Sequence, residues 1–186
     1  MGWSDPFDRH VLTWLSTRAT PPRTRLAVAL SILGPGWTVA PLCLGGFPGL
    51  RRAAPGRARW LLVAVGGGLL LFLALGFAVS RPRPAFFPSP VTEPTASFPS
   101  GHALNTTVVF LSLYLMTGSA GRAWRRGLAA FGVLTVVLAG ASRLYLQIHY
   151  PTDVAAGTLL GVAWVLALHT LWTPTPRPTG LPDAGS

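Results

Sequence analysis

The chain has 186 residues, a net charge of +10, and only 11% charged residues against 50% hydrophobic ones. Soluble domains carry roughly 25% charged residues, and long charge-free stretches leave too little polar surface to cover a water-soluble globule. All fifteen basic residues are arginine and cluster between hydrophobic segments, which favours membrane topology and anionic lipid contacts over nucleic acid, and the lone Cys43 excludes an internal disulfide.

"SDPFDRHVLTWLSTR" opens the chain with Asp5 as an N-cap, Pro6 at the first helical position and Asp8 in the first turn. Phe7, Val11, Trp14 and Leu15 fall on one helical face. Residues 1–25 are therefore expected as an amphipathic segment too short to span. It would lie flat at the membrane surface, with packing against the bundle as the alternative. No cleavable signal peptide is expected, because the first apolar stretch starts only after residue 25.

Five stretches then lack Asp, Glu, Lys and Arg: Leu26–Leu50, Trp60–Ser80, Ala103–Gly121, Gly127–Ser142 and Val154–Pro176. A spanning helix needs about 20 apolar residues. Gly127–Ser142 is short, but snorkelling arginines at its ends extend it. Gly34, Pro35, Gly36 and Pro41 are expected to kink the first helix. A proline-rich loop, "RPRPAFFPSPVTEPTASFP", separates helices two and three; helices three, four and five start near Gly101, Gly127 and Pro151. The expected fold is all-α: a polytopic transmembrane helix bundle of about five spanning helices plus the N-terminal interfacial helix. Residues 26–172 form the transmembrane domain, and residues 173–186 read as a disordered Pro-rich tail.

Alternating sides place loops 81–102 and 143–153 on one face with the N-terminus. The arginines at 51–59 and 122–126, with Arg177, lie on the other. That second face holds eight arginines, so the positive-inside rule puts it in the cytoplasm and the two loops outside.

Those loops carry the chemistry. The first holds Arg81, Arg83, Ser100, Gly101 and His102; the second, "SRLYLQIHYPTD", holds Arg143, His149 and Asp153. Arginine's planar fork matches phosphate oxygens. Ser100 and Gly101 open a helix whose first N–H groups make an anion site. Asp153 lies four residues after His149, within reach to orient it.

"PSGH" at Pro99–His102, followed by Ser142 and Arg143, then His149, then Asp153, resembles the type 2 phosphatidic acid phosphatase (PAP2) family, which shares its site with vanadium haloperoxidases. "RPRP" at Arg81–Pro84 matches the end of that family's first motif. The resemblance covers roughly Leu26 to Leu171. It implies that His149 is the nucleophile forming a phosphohistidine, Asp153 orients it, and His102 protonates the leaving oxygen and then activates water. Arg83, Arg143, Ser100 and the Gly101 amide would hold the phosphoryl oxygens, with Arg81 as a further candidate. The resemblance implies no metal and no cofactor. The sequence agrees, because of five carboxylates only Asp153 falls in the matched motifs, whereas a two-metal site wants several. His10 and His169 match no motif and read as packing residues.

Two departures stand out. The family's first motif usually begins with a lysine seven residues before the arginine, where this chain has Gly76. Bacterial members commonly have six spanning helices, so either the start is misplaced or the protein is a shorter one. The resemblance implies an integral membrane lipid-phosphate phosphatase, with phosphatidic acid, phosphatidylglycerol phosphate or undecaprenyl diphosphate as substrate candidates. Lipid phosphotransfer and a weakly active or inactive lipid-binding member, given Gly76, are the alternatives. The expected partners are the lipid substrate and the membrane, with no nucleic acid, in a bacterial cell membrane with the site facing outward.

Overall fold

The computed structural model describes residues 5–32, 46–118 and 120–172. Among the described residues there are seven helices: α1 (Pro6–Ser16), α2 (Pro21–Ile32), α3 (Phe47–Ala53), α4 (Pro55–Val79), α5 (Gly101–Met116), α6 (Arg122–Tyr145) and α7 (Pro151–Trp172). Three of them, α4, α6 and α7, are long and apolar enough to cross a membrane, and α5 is a shorter apolar helix. Only 11% of the most apolar window of α4 is buried inside the protein, although its mean hydropathy is 2.5. Leu70 and Phe77 stand exposed on that helix. Such a surface is stable against lipid and not against water. The protein is an all-α integral membrane bundle.

The kink expected around Gly34–Pro41 and the tail from Thr173 lie outside the described residues, so the first expected span is seen only at its beginning and end. Helix α6 begins at Arg122, ahead of the expected Gly127, and takes Arg125 and Arg126 into its first turns. Those arginines supply the length that the charge-free stretch lacked. Helix α1 starts as expected: the Asp5 carboxylate accepts from the Phe7 N–H at 2.9 Å, with Pro6 in the first turn.

The apolar face of α1 is not the face it turns into the protein. Phe7 and Trp14 are exposed, whereas Asp8 and Leu12 are fully buried. The helix leans on α6 and α7 and turns a carboxylate into the protein. The apolar pattern missed this because Asp8 is buried through polar partners, which hydrophobic periodicity does not register.

Helices α5 and α7 set the site. Gly157 and Gly161, four apart on α7, let it approach α5 closely. A Cβ at Gly157 would meet the Ser100 carbonyl oxygen at 2.6 Å, and one at Gly161 the Leu104 carbonyl oxygen at 2.9 Å. Below them Trp60, Ala64, Leu104, Val108, Val165 and Leu168 form the apolar core shared by α4, α5 and α7. At the top, the Ser100 N–H donates to the Asp153 carbonyl at 3.1 Å, joining the starts of the two helices by backbone.

Candidate active site

Three chain segments converge on this end of the bundle. Helix α4 ends at Ser80 in the left-handed conformation (φ 46°), and its N–H bonds back to the Gly76 carbonyl. This reversal sends Arg81 and Arg83 over the starts of α5 and α7. The loop that follows is stitched to its own beginning by the Ser97 N–H donating to the Arg81 carbonyl at 2.8 Å. Its middle is pinned by the Ser89 hydroxyl donating to the Leu146 carbonyl at 2.6 Å and by Val91 packing with Ala27, Leu146 and Ile148.

His149 is 2% exposed and sits in the short connection between α6 and α7. Its Nδ1 lies 2.7 Å from the Ser97 carbonyl oxygen, and its Nε2 lies 3.2 Å from Arg83 Nη1. A carbonyl only accepts and a guanidinium only donates. The tautomer is thereby fixed, with the proton on Nδ1 and the lone pair on Nε2. Burial, the largest influence, pushes the imidazole pKa below its ordinary value; Asp153 opposes this and Arg83 adds to it. The ring is therefore neutral, with its lone pair facing Arg83.

Asp153 is fully buried at the first turn of α7. Its Oδ2 is 3.8 Å from His149 Nδ1, an ion-pair distance too long for a hydrogen bond. The same oxygen accepts from Ser97 Oγ at 2.5 Å and from the Tyr150 N–H at 3.0 Å, the latter closing the helix start as in a capping box. The carboxylate thus fixes the two residues that frame His149, one of which, Ser97, supplies the carbonyl that His149 uses.

Arg81 lies on the far side of Asp153. Its Nη1 donates to Asp153 Oδ1 at 2.6 Å and to Thr152 Oγ1 at 2.8 Å, and its Nη2 donates to Asp8 Oδ2 at 2.8 Å. Its guanidinium also covers the Tyr150 ring at 3.9 Å. Asp8 in turn accepts from the Thr152 N–H at 2.9 Å and from its hydroxyl at 2.6 Å. Arg81 was expected as a further phosphate-binding residue. Its fork is spread between two buried carboxylates.

On the open side, Arg83 Nη1 donates to the Ile148 carbonyl at 2.6 Å, and its Nε and Nη2 bind the loop at Thr95 and Ala96. Arg143, 2% exposed at the end of α6, places Nη2 within 2.8 Å of His102 Nδ1 and 2.6 Å of its Nε2, and Nη1 donates to Ser31 of α2. Glu93 bridges the two arginines: Oε2 accepts from Arg83 Nη2 at 3.0 Å, and Oε1 from Arg143 Nη2. Ser100 occupies the N-cap position of α5 but does not cap with its side chain, and its fully buried Oγ meets no hydrogen-bond partner among the described residues. A Cβ at Gly101 would meet the Phe72 ring at 2.8 Å, so a larger residue there would require that ring to shift.

His102, His149, Asp153, Arg83, Arg143, Ser100 and Gly101 thus gather at one end of the bundle. Asp8, Glu93, Ser97 and Thr152 belong with them and were missed, because the first three lie outside the matched motifs and Thr152 fills an unspecified position within one. His169 lies elsewhere, edge-on to Trp60 at 6.2 Å between ring centres.

Fold and site together define an integral membrane protein with a histidine–carboxylate–arginine centre at the mouth of its helices. The chain belongs to the PAP2 superfamily, whose profile matches residues 57–176. It is 36% identical over 133 residues to decaprenylphosphoryl-5-phosphoribose phosphatase of Mycobacterium tuberculosis, covering 68% of this chain and 66% of that one. It is 35% identical over 106 residues to phosphatidylglycerophosphatase B of Bacillus subtilis, covering 55% of this chain and 51% of the relative. With undecaprenyl-diphosphatase of Sulfolobus acidocaldarius it shares 34% identity over 94 residues, 48% of this chain and 42% of the other. The chain spans between 42% and 66% of the length of these relatives. Among solved structures, a transmembrane PAP2-type phosphatidylglycerolphosphate phosphatase from Bacillus subtilis superposes with a TM-score of 0.78 at 25% identity, covering 88% of this chain and 83% of that one.

Proposed function

We propose that this protein is a lipid-phosphate phosphatase that cleaves a phosphomonoester, or the outer phosphate of a diphosphate, through a phosphohistidine. The observation that carries this reading is the fixed tautomer of His149: Nδ1 is held by the Ser97 carbonyl, so Nε2 presents its lone pair beside Arg83. Nε2 attacks phosphorus, the N–P bond forms, and the P–O bond to the lipid breaks. His102 gives its proton to the leaving oxygen; the charge of the bound phosphate favours the protonated imidazole it needs. Water then loses a proton to His102 as its oxygen attacks phosphorus, the N–P bond breaks, and phosphate leaves. Arg83, Arg143, the Ser100 hydroxyl and the Gly101 amide hold the three equatorial oxygens, where positioning and charge supply most of the catalysis. Arg81 and Asp8 act behind Asp153 as positioning residues.

Phosphatidic acid, phosphatidylglycerol phosphate and undecaprenyl diphosphate all present the required group. Phosphate release from a panel of the three in detergent tests the reading, with an acceptor alcohol added to score phosphotransfer. Vanadate is expected to inhibit, because a five-coordinate oxyanion on His149 mimics the transition state. A chelator is expected to leave the rate unchanged. Chelator-abolished activity restored by a divalent ion is the result that would refute this mechanism.

The site is proposed to face outward in a bacterial cell membrane, since the arginine-rich ends of α3, α4 and α6 lie at the opposite end. Thr92 and Arg122 are exposed at the two ends. In a Cys43→Ser background, Thr92→Cys is expected to react with an impermeant thiol reagent on intact cells and Arg122→Cys is not. The reverse pattern would put the site in the cytoplasm.

Gly76 faces the loop that holds Arg83. A Cβ there would meet only the Phe98 carbonyl oxygen at 3.7 Å, beside a cavity of about 260 Å³ lined by Phe72, Gly76, Ser80, Thr95 and Ala96. There is room for a longer side chain, and glycine within a helix costs about 1 kcal/mol relative to alanine. Gly76→Lys is therefore expected to fold and to raise kcat/KM by adding a cation near the phosphate. An unchanged kcat/KM would show that position 76 does not face it.

A further inference from the structure

Glu93 stands where the proposed reaction has no use for a carboxylate. Its two oxygens span Arg83 and Arg143, the pair assigned above to the phosphoryl oxygens, and Arg143 Nη2 holds Glu93 and His102 together. Each arginine gives Glu93 one Nη, and a phosphate oxygen would take the same charge-assisted N–H contact. We propose that Glu93 is a charge gate, an internal anion that occupies the phosphate seat and yields it to a phosphomonoester dianion but not to a phosphodiester monoanion.

The physical case begins with the empty seat. Two guanidinium groups this close, one of them 2% exposed on its side chain, repel each other in a medium that screens poorly. Leaving them unpaired would be expensive. Glu93 removes that expense. Its carboxyl pKa stays below the ordinary value: burial, the largest influence, pushes it up, and Arg143 and Arg83 more than offset this. Glu93 is also the member best able to leave. Its side chain is 24% exposed, against 15% for Arg83 and 2% for Arg143. The loop carrying it is anchored on either side, by Ser89 and Val91 before it and by Thr95 to Ser97 after it. A change confined to the glutamate rotamer would therefore open the seat without unfolding the loop.

The selectivity follows from exchange. A terminal phosphate monoester brings about two negative charges and three free oxygens in place of one charge and two oxygens, so displacement gains charge pairing and hydrogen bonds. A phosphodiester brings one charge and two free oxygens, the same as Glu93, and gains nothing for displacing it. An enzyme surrounded by diester lipids is thereby kept from filling its site with them. This inference rests on the phosphate-binding roles of Arg83 and Arg143 proposed above.

The test compares wild type, Glu93→Gln and Glu93→Asp, each as the full chain in detergent. Binding of inorganic phosphate and of dimethyl phosphate, a soluble diester monoanion, is measured by calorimetry, which needs no turnover. Wild type is expected to bind phosphate and to reject dimethyl phosphate. Glu93→Gln is expected to bind dimethyl phosphate about ten- to a hundredfold more tightly than wild type does, the scale of one charge-assisted hydrogen bond. Glu93→Asp, which keeps the charge, is expected to retain most of the discrimination. With dioctanoyl phosphatidic acid as substrate, dioctanoyl phosphatidylglycerol is expected to compete strongly only in Glu93→Gln. Equal dimethyl phosphate affinity in wild type and Glu93→Gln would overturn the gate. So would weaker binding of both anions by Glu93→Gln, which would make Glu93 a support for the arginines. Absence of phosphate release by wild type, with anion binding as expected, would instead remove the phosphatase reading and leave the gate standing.

Discussion

His149→Ala is expected to abolish phosphate release from every lipid tested, a loss on the order of 10⁴-fold or more. The size follows from the geometry. Nε2 is the lone-pair nitrogen that the tautomer lock places beside Arg83, and the reading gives the attack to no other group. His102→Ala separates the steps. With a good leaving group, attack survives and a phosphoenzyme accumulates, because the water step lacks its base. The two variants therefore differ in acid-labile protein-bound phosphate, absent in the first and raised in the second. The pH profile gives an independent check. His149 attacks as the neutral imidazole, so activity falls as pH drops through its pKa. Burial holds that pKa below the ordinary histidine value of about 6.5. The acid limb of kcat/KM is accordingly expected below pH about 6.5. Equal phosphate release from wild type and His149→Ala would end the phosphatase reading.

The apolar helices and the motif-bearing loops were legible in the sequence because their signals are local: runs without charge, and short patterns at helix starts. What supports the site is not local. Asp8 and Arg81 are 73 residues apart, and nothing in either neighbourhood announces the other. Asp8 reads as an ordinary first-turn acid, and only its i, i+4 relation to the buried Leu12 hints that this face turns inward. Glu93 reads as one charge in a proline-rich loop, because a carboxylate that imitates a phosphate belongs to no catalytic pattern. The four-residue spacing puts Asp153 within reach of His149, at 3.8 Å, but does not announce the carbonyl that holds the ring. The connection turns at Gln147, whose φ is 59°, and the Ser97 carbonyl reaches the ring first. Gly157 and Gly161 carry a readable signal, small residues four apart, whose partner helix only the fold identifies.

The second large effect belongs to Arg81. Arg81→Ala is expected to lower stability by about 3–5 kcal/mol, the usual result of removing one member of a buried ion pair. Asp8 and Asp153 are both fully buried, and Arg81 is the cation between them. Its loss leaves two buried carboxylates repelling each other, Asp153 at the start of α7 and Asp8 on α1, the latter still held by Thr152. The prediction separates positioning from phosphate binding. A positioning residue that never touches substrate should lower kcat in the folded fraction and leave KM nearly unchanged. Arg51→Ala, at an exposed arginine of α3, is the control and should fall within about 0.5 kcal/mol of wild type. Asp8→Asn supplies the partner, since it removes the far anchor without approaching the histidine. The double variant should then be less damaging than the two single effects added together, with a coupling of about 0.5–3 kcal/mol. Thermal unfolding in detergent and steady-state kinetics on one soluble short-chain substrate measure both quantities. Strict additivity of Asp8→Asn and Arg81→Ala, or a rise in KM confined to Arg81→Ala, would return Arg81 to the phosphate and detach the N-terminal helix from catalysis. Coupling with KM unchanged would make α1 part of the active-site scaffold, acting through one buried carboxylate on the residue that frames the nucleophile.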